Sequence, residues 1–210
     1  MARITLTHLY DTYDQATSAV QSLEAQGVAH ADVSIVSNDP NAHDTNTSSG
    51  SMTDAGATGD EPANAAGGGA TLGTVVGGGA GLLAGLGALA IPGVGPVVAA
   101  GWLIATLTGA GAGAGVGGLL GSLVGHGVKH EDAEVYSEGV RRGGTLVAVQ
   151  TDEADAPRLT QILDSMGAVN VANRRQDYVS TGYQQHDPAA PMYGRAEVEA
   201  ERARVRGGNI

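Results

Sequence analysis

Leu23-Glu24-Ala25-Gln26-Gly27-Val28 and Leu163-Asp164-Ser165-Met166-Gly167-Ala168 share one pattern: Leu, an acid, two further residues, Gly, then a small apolar side chain. Each reads as the end of an amphipathic helix, with glycine in the left-handed position that stops it. Upstream of the first copy, residues 3–9 alternate, with Ile4 and Leu6 on one face and Thr5 and Thr7 on the other, as a half-buried strand does. Thr12 and Gln15 stand at capping-box spacing, and Tyr13, Ala16, Val20 and Leu23 recur on one helical face. The run Asp32-Val33-Ser34-Ile35-Val36 reads as the strand that follows. Around the second copy, residues 131–140 suit a short helix, Gly143-Gly144 a turn, and residues 145–150 a strand rich in β-branched side chains. Asp155 then caps a helix with Pro157 in its first turn and Leu159, Ile162, Leu163 and Met166 on its apolar face. Val169-Asn170-Val171 reads as the last strand.

Two β-α-β units in one chain predict an α+β fold, a ferredoxin-like β-α-β/β-α-β sandwich of four antiparallel strands with helices on one face. The two halves are far apart in sequence, so a glycine-zipper helical hairpin interrupts them. The expected organisation is a first β-α-β half over 1–36, a disordered linker over 37–66, the apolar hairpin over 67–128, the second half over 129–175, and an extended tail with a short charged helix over 176–210. The linker is predicted from its Asn, Asp, Ser, Thr, Gly and Ala content, which buries too little surface to offset chain entropy. In the tail, residues 197–206 suit a solvated helix in which Glu199 pairs with Arg202 and Glu201 with Arg204.

The middle of the chain is unusual in charge and in glycine. Residues 62–128 contain no Asp, Glu, Lys or Arg, and 22 of the 34 glycines fall between 67 and 128. Gly69, Gly73, Gly77, Gly81 and Gly85 are spaced by four, as are Gly101, Ala105, Gly109, Gly113, Gly117, Gly121 and Gly125. A four-residue step puts small residues on one stripe of a helix, where two backbones can approach closely. Pro92, Gly93, Gly95 and Pro96 mark the turn between two arms near 70–90 and 97–126. At about 1.5 Å per residue the arms span roughly 31 and 45 Å, against a hydrocarbon core of about 30 Å. Glycine costs a helix about 1 kcal/mol relative to Ala in water, whereas lipid makes backbone pairing obligatory. Trp102 is placed for an interfacial belt. The flanks carry no basic cluster to orient an insertion: Asp60 and Glu61 precede the stretch, and Lys129, Glu131 and Asp132 follow it.

Composition excludes several classes of function. The 22 acidic against 11 basic residues, for a net charge of −11, argue against nucleic-acid binding. With no cysteine, disulfides, thiolate metal sites and Cys nucleophiles are excluded. The N-terminus lacks the apolar run of a signal peptide, which leaves the folded parts expected in the cytoplasm. No Ser stands in a nucleophile-elbow context, so no catalytic residue is assigned and no cofactor is expected. Gly113-Ala114-Gly115-Val116-Gly117-Gly118 satisfies GxGxxG but lacks the preceding strand a dinucleotide site needs. The weak metal candidates are His126, His130 and Glu134, which on one helix would share a face; the plainer reading is a polar exit from the hairpin. Arg141-Arg142 suits the end of a helix dipole, with an anionic ligand or lipid headgroup as the alternative.

The β-α-β unit, the glycine-zipper stretch, the run Tyr136-Ser137-Glu138-Gly139-Val140-Arg141-Arg142-Gly143-Gly144-Thr145-Leu146-Val147 and the tail His186-Asp187-Pro188-Ala189-Ala190-Pro191-Met192-Tyr193 together resemble the bacterial general-stress and low-temperature-induced protein family. The resemblance covers nearly the whole chain outside the linker. One departure is His186, where the family pattern leads us to expect an aromatic before Asp-Pro. The resemblance implies a role in stress tolerance and a ferredoxin-like domain with a hydrophobic insertion, and it supplies no activity or catalytic residue. The expected protein is therefore non-enzymatic. Its hairpin inserts in or associates with a membrane and drives homo-oligomerisation, and its folded domain is cytoplasmic. The alternatives are a soluble self-assembling protein with hairpins buried in an oligomer core, and a small-ligand sensor built on the sheet, for which fold alone is a weak warrant.

Overall fold

The computed structural model describes residues 3–40, 87–91, 95–103 and 118–207. The order is β1 (Arg3–Tyr10), α1 (Tyr13–Ala25), a 3-10 turn (His30–Asp32), β2 (Val33–Ser37), β3 (Gly87–Ile91), β4 (Gly95–Ala100), α2 (Gly118–Gly125), α3 (His130–Arg141), β5 (Thr145–Asp152), α4 (Ala156–Ser165), α5 (Val171–Ser180) and α6 (Arg195–Gly207). The fold is mixed α+β. Its centre is an antiparallel three-stranded sheet, β1-β5-β2, and β4 and β3 extend it beyond β2. β5 is the hub: Arg3 lies opposite Asp152 and Tyr10 opposite Thr145 on one side, and Val33 opposite Val149 and Ser37 opposite Thr145 on the other.

The period-two pattern sends alternate side chains to two separate cores. Tyr10, Val33, Ile35, Val147 and Val149 meet Tyr13, Ala16, Ala19, Val20 and Leu23 of α1 and Leu159 and Leu163 of α4. Leu9, Val36 and Leu146 face the opposite way, against Leu103, Leu123 of α2, and Ala133, Tyr136 and Val140 of α3. Helices therefore cover both faces, which corrects the expected one-faced sandwich. The reason lies in α3, whose buried Ala133 and Val135–Val140 need a sheet face of their own. Gly139 lets it come close, since a Cβ there would stand 2.5 Å from Leu9 Cδ2.

Local signals held where the chain decides locally. Thr12 accepts the Gln15 amide at 3.3 Å and caps α1, while Gly27 and Gly167 end α1 and α4 at φ 87° and 85°. Pro157 lies in the first turn of α4, although Asp155 makes no capping bond; its carboxylate instead accepts Arg158 Nη2 at 3.4 Å.

Two expected elements differ. Val169-Asn170-Val171 is no strand, because the Asn170 side chain accepts the Asn173 amide at 3.0 Å and starts α5. Its approach to the sheet is a single bond, Val169 N–H to Leu9 O at 2.8 Å, beside Tyr136 O–H to Thr7 O at 2.8 Å. The helical arms are also corrected where they are described. Gly87–Ile91 and Gly95–Ala100 are paired strands, with Ile91 opposite Gly95 and Ala90 opposite Pro96. Glycine weakens a helix, and the free edge of β2 offers ladder partners, Ile35 to Ala100 and Ser37 to Val98. Residues 37–39, expected in the linker, are buried: Ser37 ends β2, and Asn38 and Asp39 are 7% and 1% exposed. Linker residues 41–66, Gly69, Gly73, Gly77, Gly81, Gly85, Pro92, Gly93, Ala105, Gly109, Gly113 and Gly117 lie outside the described residues. Among the described residues no helix is long and apolar enough to cross a membrane.

Candidate functional site

The densest polar arrangement lies where α6 crosses the end of α3. Glu138, Arg141 and Arg142 occupy positions i, i+3 and i+4 on α3, so all three reach one side of its last turn. Arg141 donates to Glu138 at 2.6 and 2.8 Å, Arg142 Nε at 2.7 Å, and His186 Nδ1 lies 3.2 Å away. The Glu138 side chain is 3% exposed. Burial raises its pKa, but the hydrogen bonds from Arg141, His186 and Arg142 outweigh that and hold it down at about 2. The Arg141 pKa is raised by its hydrogen bonds to Glu138; that of Arg142 is raised because the same carboxylate overcomes burial. The Arg142 guanidinium also lies 4.2 Å from the Tyr178 ring centroid, and Arg141 lies 4.6 Å from that of Tyr193.

Gly143 ends α3 at φ 97° and makes room for α6, since a Cβ there would stand 2.4 Å from both Val198 methyls. Val198 is fully buried against this turn. One turn further, Glu201 accepts Arg204 at 2.8 and 3.0 Å and Arg142 at 3.3 Å. Arg202 turns inward: it pairs with Asp39 Oδ2 at 2.7 Å and donates to Asp11 O at 3.0 Å and Gly143 O at 3.1 Å. The same Asp39 oxygen accepts the Tyr13 amide at 2.9 Å, at the start of α1. Arg174 of α5 donates to Asp11 Oδ1 at 2.7 Å.

The tail helix is exposed along most of its length, yet Val198 and Arg202 dock it against the domain. Of the two pairs expected there, Glu201–Arg204 forms, whereas Arg202 leaves Glu199 for Asp39. The cluster replaces the anion site at Arg141-Arg142, because Glu138 already occupies both guanidinium groups. A cleft of about 290 Å³ beside the cluster is lined by Asp11, Asn170, Asn173, Arg174, Asp177 and Arg204. Two of its cations are already paired, Arg174 with Asp11 and Arg204 with Glu201.

The residues singled out in the sequence fall elsewhere. His126 lies beyond the end of α2 and is separated from α3 by Gly127 at φ 87°, so it does not share a helix with His130 and Glu134. Its Nδ1 sits 2.8 Å from Ser122 O and its ring 4.6 Å from that of Trp102. His130 and Glu134 face each other at 3.8 Å, and among the described residues no group of three His, Cys, Asp or Glu could hold a metal ion. Trp102 is taken up by the domain, its Nε1 donating to Asp32 O at 3.2 Å. Gly101 serves no helix contact: at φ 98° it lies against β2, where a Cβ would be 2.3 Å from Val33 O. At Gly121 and Gly125 a Cβ would meet nothing within 4 Å. Sequence reasoning missed Asp39, Asn38 and Arg202 as partners. The local spacings of Glu138 with Arg141 and Arg142, and of Glu201 with Arg204, were there to be read.

Residues 5–80 match the family model of the heat induced stress protein YflT domain, a bacterial general-stress family. The match takes in nearly all of β1, with α1, β2, Asn38 and Asp39, while α3 to α6 lie beyond it. No curated protein and no solved structure matches the chain.

Proposed function

We propose that this chain is a non-enzymatic stress-response protein. Its uncharged, glycine-stepped segment inserts in or associates with a membrane and draws copies together, while the folded domain stays on the cytoplasmic side. A ferredoxin-like origin of that domain is supported by the order β1-β5-β2. The stress role is supported by the match over 5–80. The observation that carries the rest is the run 62–128: 67 residues without a charge, held between β2 and β5 of a domain whose arginines are mostly committed to ion pairs. Association through backbone approach suits the four-step glycines. Flotation with phosphatidylcholine–phosphatidylglycerol vesicles tests it. The full chain rises with the vesicles and, without detergent, runs larger than a monomer; a monomer left at the bottom of the gradient contradicts the reading.

The second reading, a soluble assembly with the insertion buried between copies, is favoured by β3 and β4, which extend the sheet rather than forming helices. On that reading G113L with G117L dissociates the particle without any effect of lipid, as light scattering would record.

A further inference from the structure

The C-terminal helix touches the point where the chain leaves β2 for residues 40–61, the acidic segment that leads on to the charge-free insertion. Asn38 Nδ2 donates to Tyr193 O and to Arg141 O, each at 3.1 Å, so it ties the lead-in of α6 to the end of α3. Tyr193 N–H donates back to Arg141 O at 2.9 Å. Asp39, 1% exposed, receives Arg202 at 2.7 Å and the first amide of α1 at 2.9 Å. Three elements are thus closed around residues 38–39, and α6 supplies the Arg202 guanidinium to Asp39.

α6 is also weakly held by apolar packing for its length. α1 buries five side chains, whereas the 13 residues of α6 bury Val198 alone. Helices with few buried apolar contacts open at lower free energy than the core, and polar bonds are remade with water when they do. A strong set of ion pairs on a weak apolar anchor docks in one geometry and comes away as a unit.

We propose that α6 and Tyr193 form a releasable strap over the exit from β2. Docked, the strap fixes Asn38 and Asp39 and with them the path into the insertion. Released, it frees that path and favours association of the insertion. The effect on association rests on the function proposed above; the hold on residues 38–39 does not.

The test compares the full-length wild type with R202A, V198A and R202K. V198A touches neither Asn38 nor Asp39, so it reports on docking of α6 alone. Hydrogen exchange is read over 37–40 and over α6, with α4 as the internal reference for an intact core. The same samples are sedimented with phosphatidylcholine–phosphatidylglycerol vesicles. R202A and V198A speed exchange of both α6 and 37–40 by about tenfold or more while α4 is unchanged, and R202K falls between them and wild type. The sedimented or assembled fraction rises about twofold or more in the same order. Faster exchange in α6 with 37–40 unchanged overturns the strap. Faster exchange in both, with sedimentation equal to a wild type that does sediment, overturns its control of association. If no chain sediments or assembles, the proposed function fails, and the exchange data still decide whether α6 holds residues 38–39.

Discussion

The stretch 62–128 and the stretch 129–207 use charge in opposite ways. The first has none; the second carries ten of the chain's 11 basic residues. Most arginines of the second stretch pair within the fold: Arg142, Arg174 and Arg202 keep 9%, 8% and 12% of their side-chain surface and each meets a carboxylate. Buried ion pairs add little net stability over apolar packing, but removing one partner leaves a charge stranded. Their gain is in geometry. They fix where α6 lies, against Asn38 and Asp39 just after β2, whereas the described part of the uncharged stretch is held by strand pairing with β2 and by Leu103 and Leu123 in the core. Charge specifies the docking of α6 in this molecule.

That contrast can be broken at the seam. Gly101, at the end of β4, joins the uncharged stretch to the core, and Ala there meets both a positive φ and the Val33 carbonyl at 2.3 Å. G101A is expected to cost about 4 kcal/mol by chemical denaturation, since both the strain and the clash involve backbone. On the charged side, E138Q leaves Arg141 and Arg142 without their carboxylate and costs about 3 kcal/mol near neutral pH. It also has a pH signature. The Glu138 pKa is about 2 in the fold against 4.5 unperturbed, so its contribution is complete above 4.5 and fades as pH falls towards 2. Wild type and E138Q therefore converge in acid, whereas parallel curves down to pH 2 would contradict this account of the cluster. Smaller still, N170A removes the cap of α5 and costs about 1 kcal/mol in a thermal or denaturant melt.

The pattern Leu-acid-x-x-Gly was legible because both copies do the same local work, ending α1 and α4 at a left-handed glycine. What comes next differs between them. After Gly27, the sequence Val33-Ser34-Ile35-Val36 has four residues suited to a pleat and finds β5. After Gly167, two valines flank an Asn whose side chain claims a backbone amide, and a three-residue strand loses to a ten-residue helix. β3 and β4 fall between the two glycine ladders, beside the Pro-Gly turn, where runs of five and six residues suit a strand as well as a helix, and the edge of β2 decides between them. Of the polar site, Glu138 with Arg141 and Arg142 and Glu201 with Arg204 follow from helical spacing. Asp39 with Arg202 could not be read, since 163 residues separate them and only the fold brings them to 2.7 Å.

The central claim is that the uncharged stretch is hidden from bulk water by lipid or by other copies of itself. Amide exchange over residues 62–128, measured on the full chain with vesicles and again on the detergent-free assembly, addresses it most directly. Slow exchange across a substantial part of that stretch in at least one of the two states is the predicted result. Loss of every amide proton there within seconds in both would contradict it.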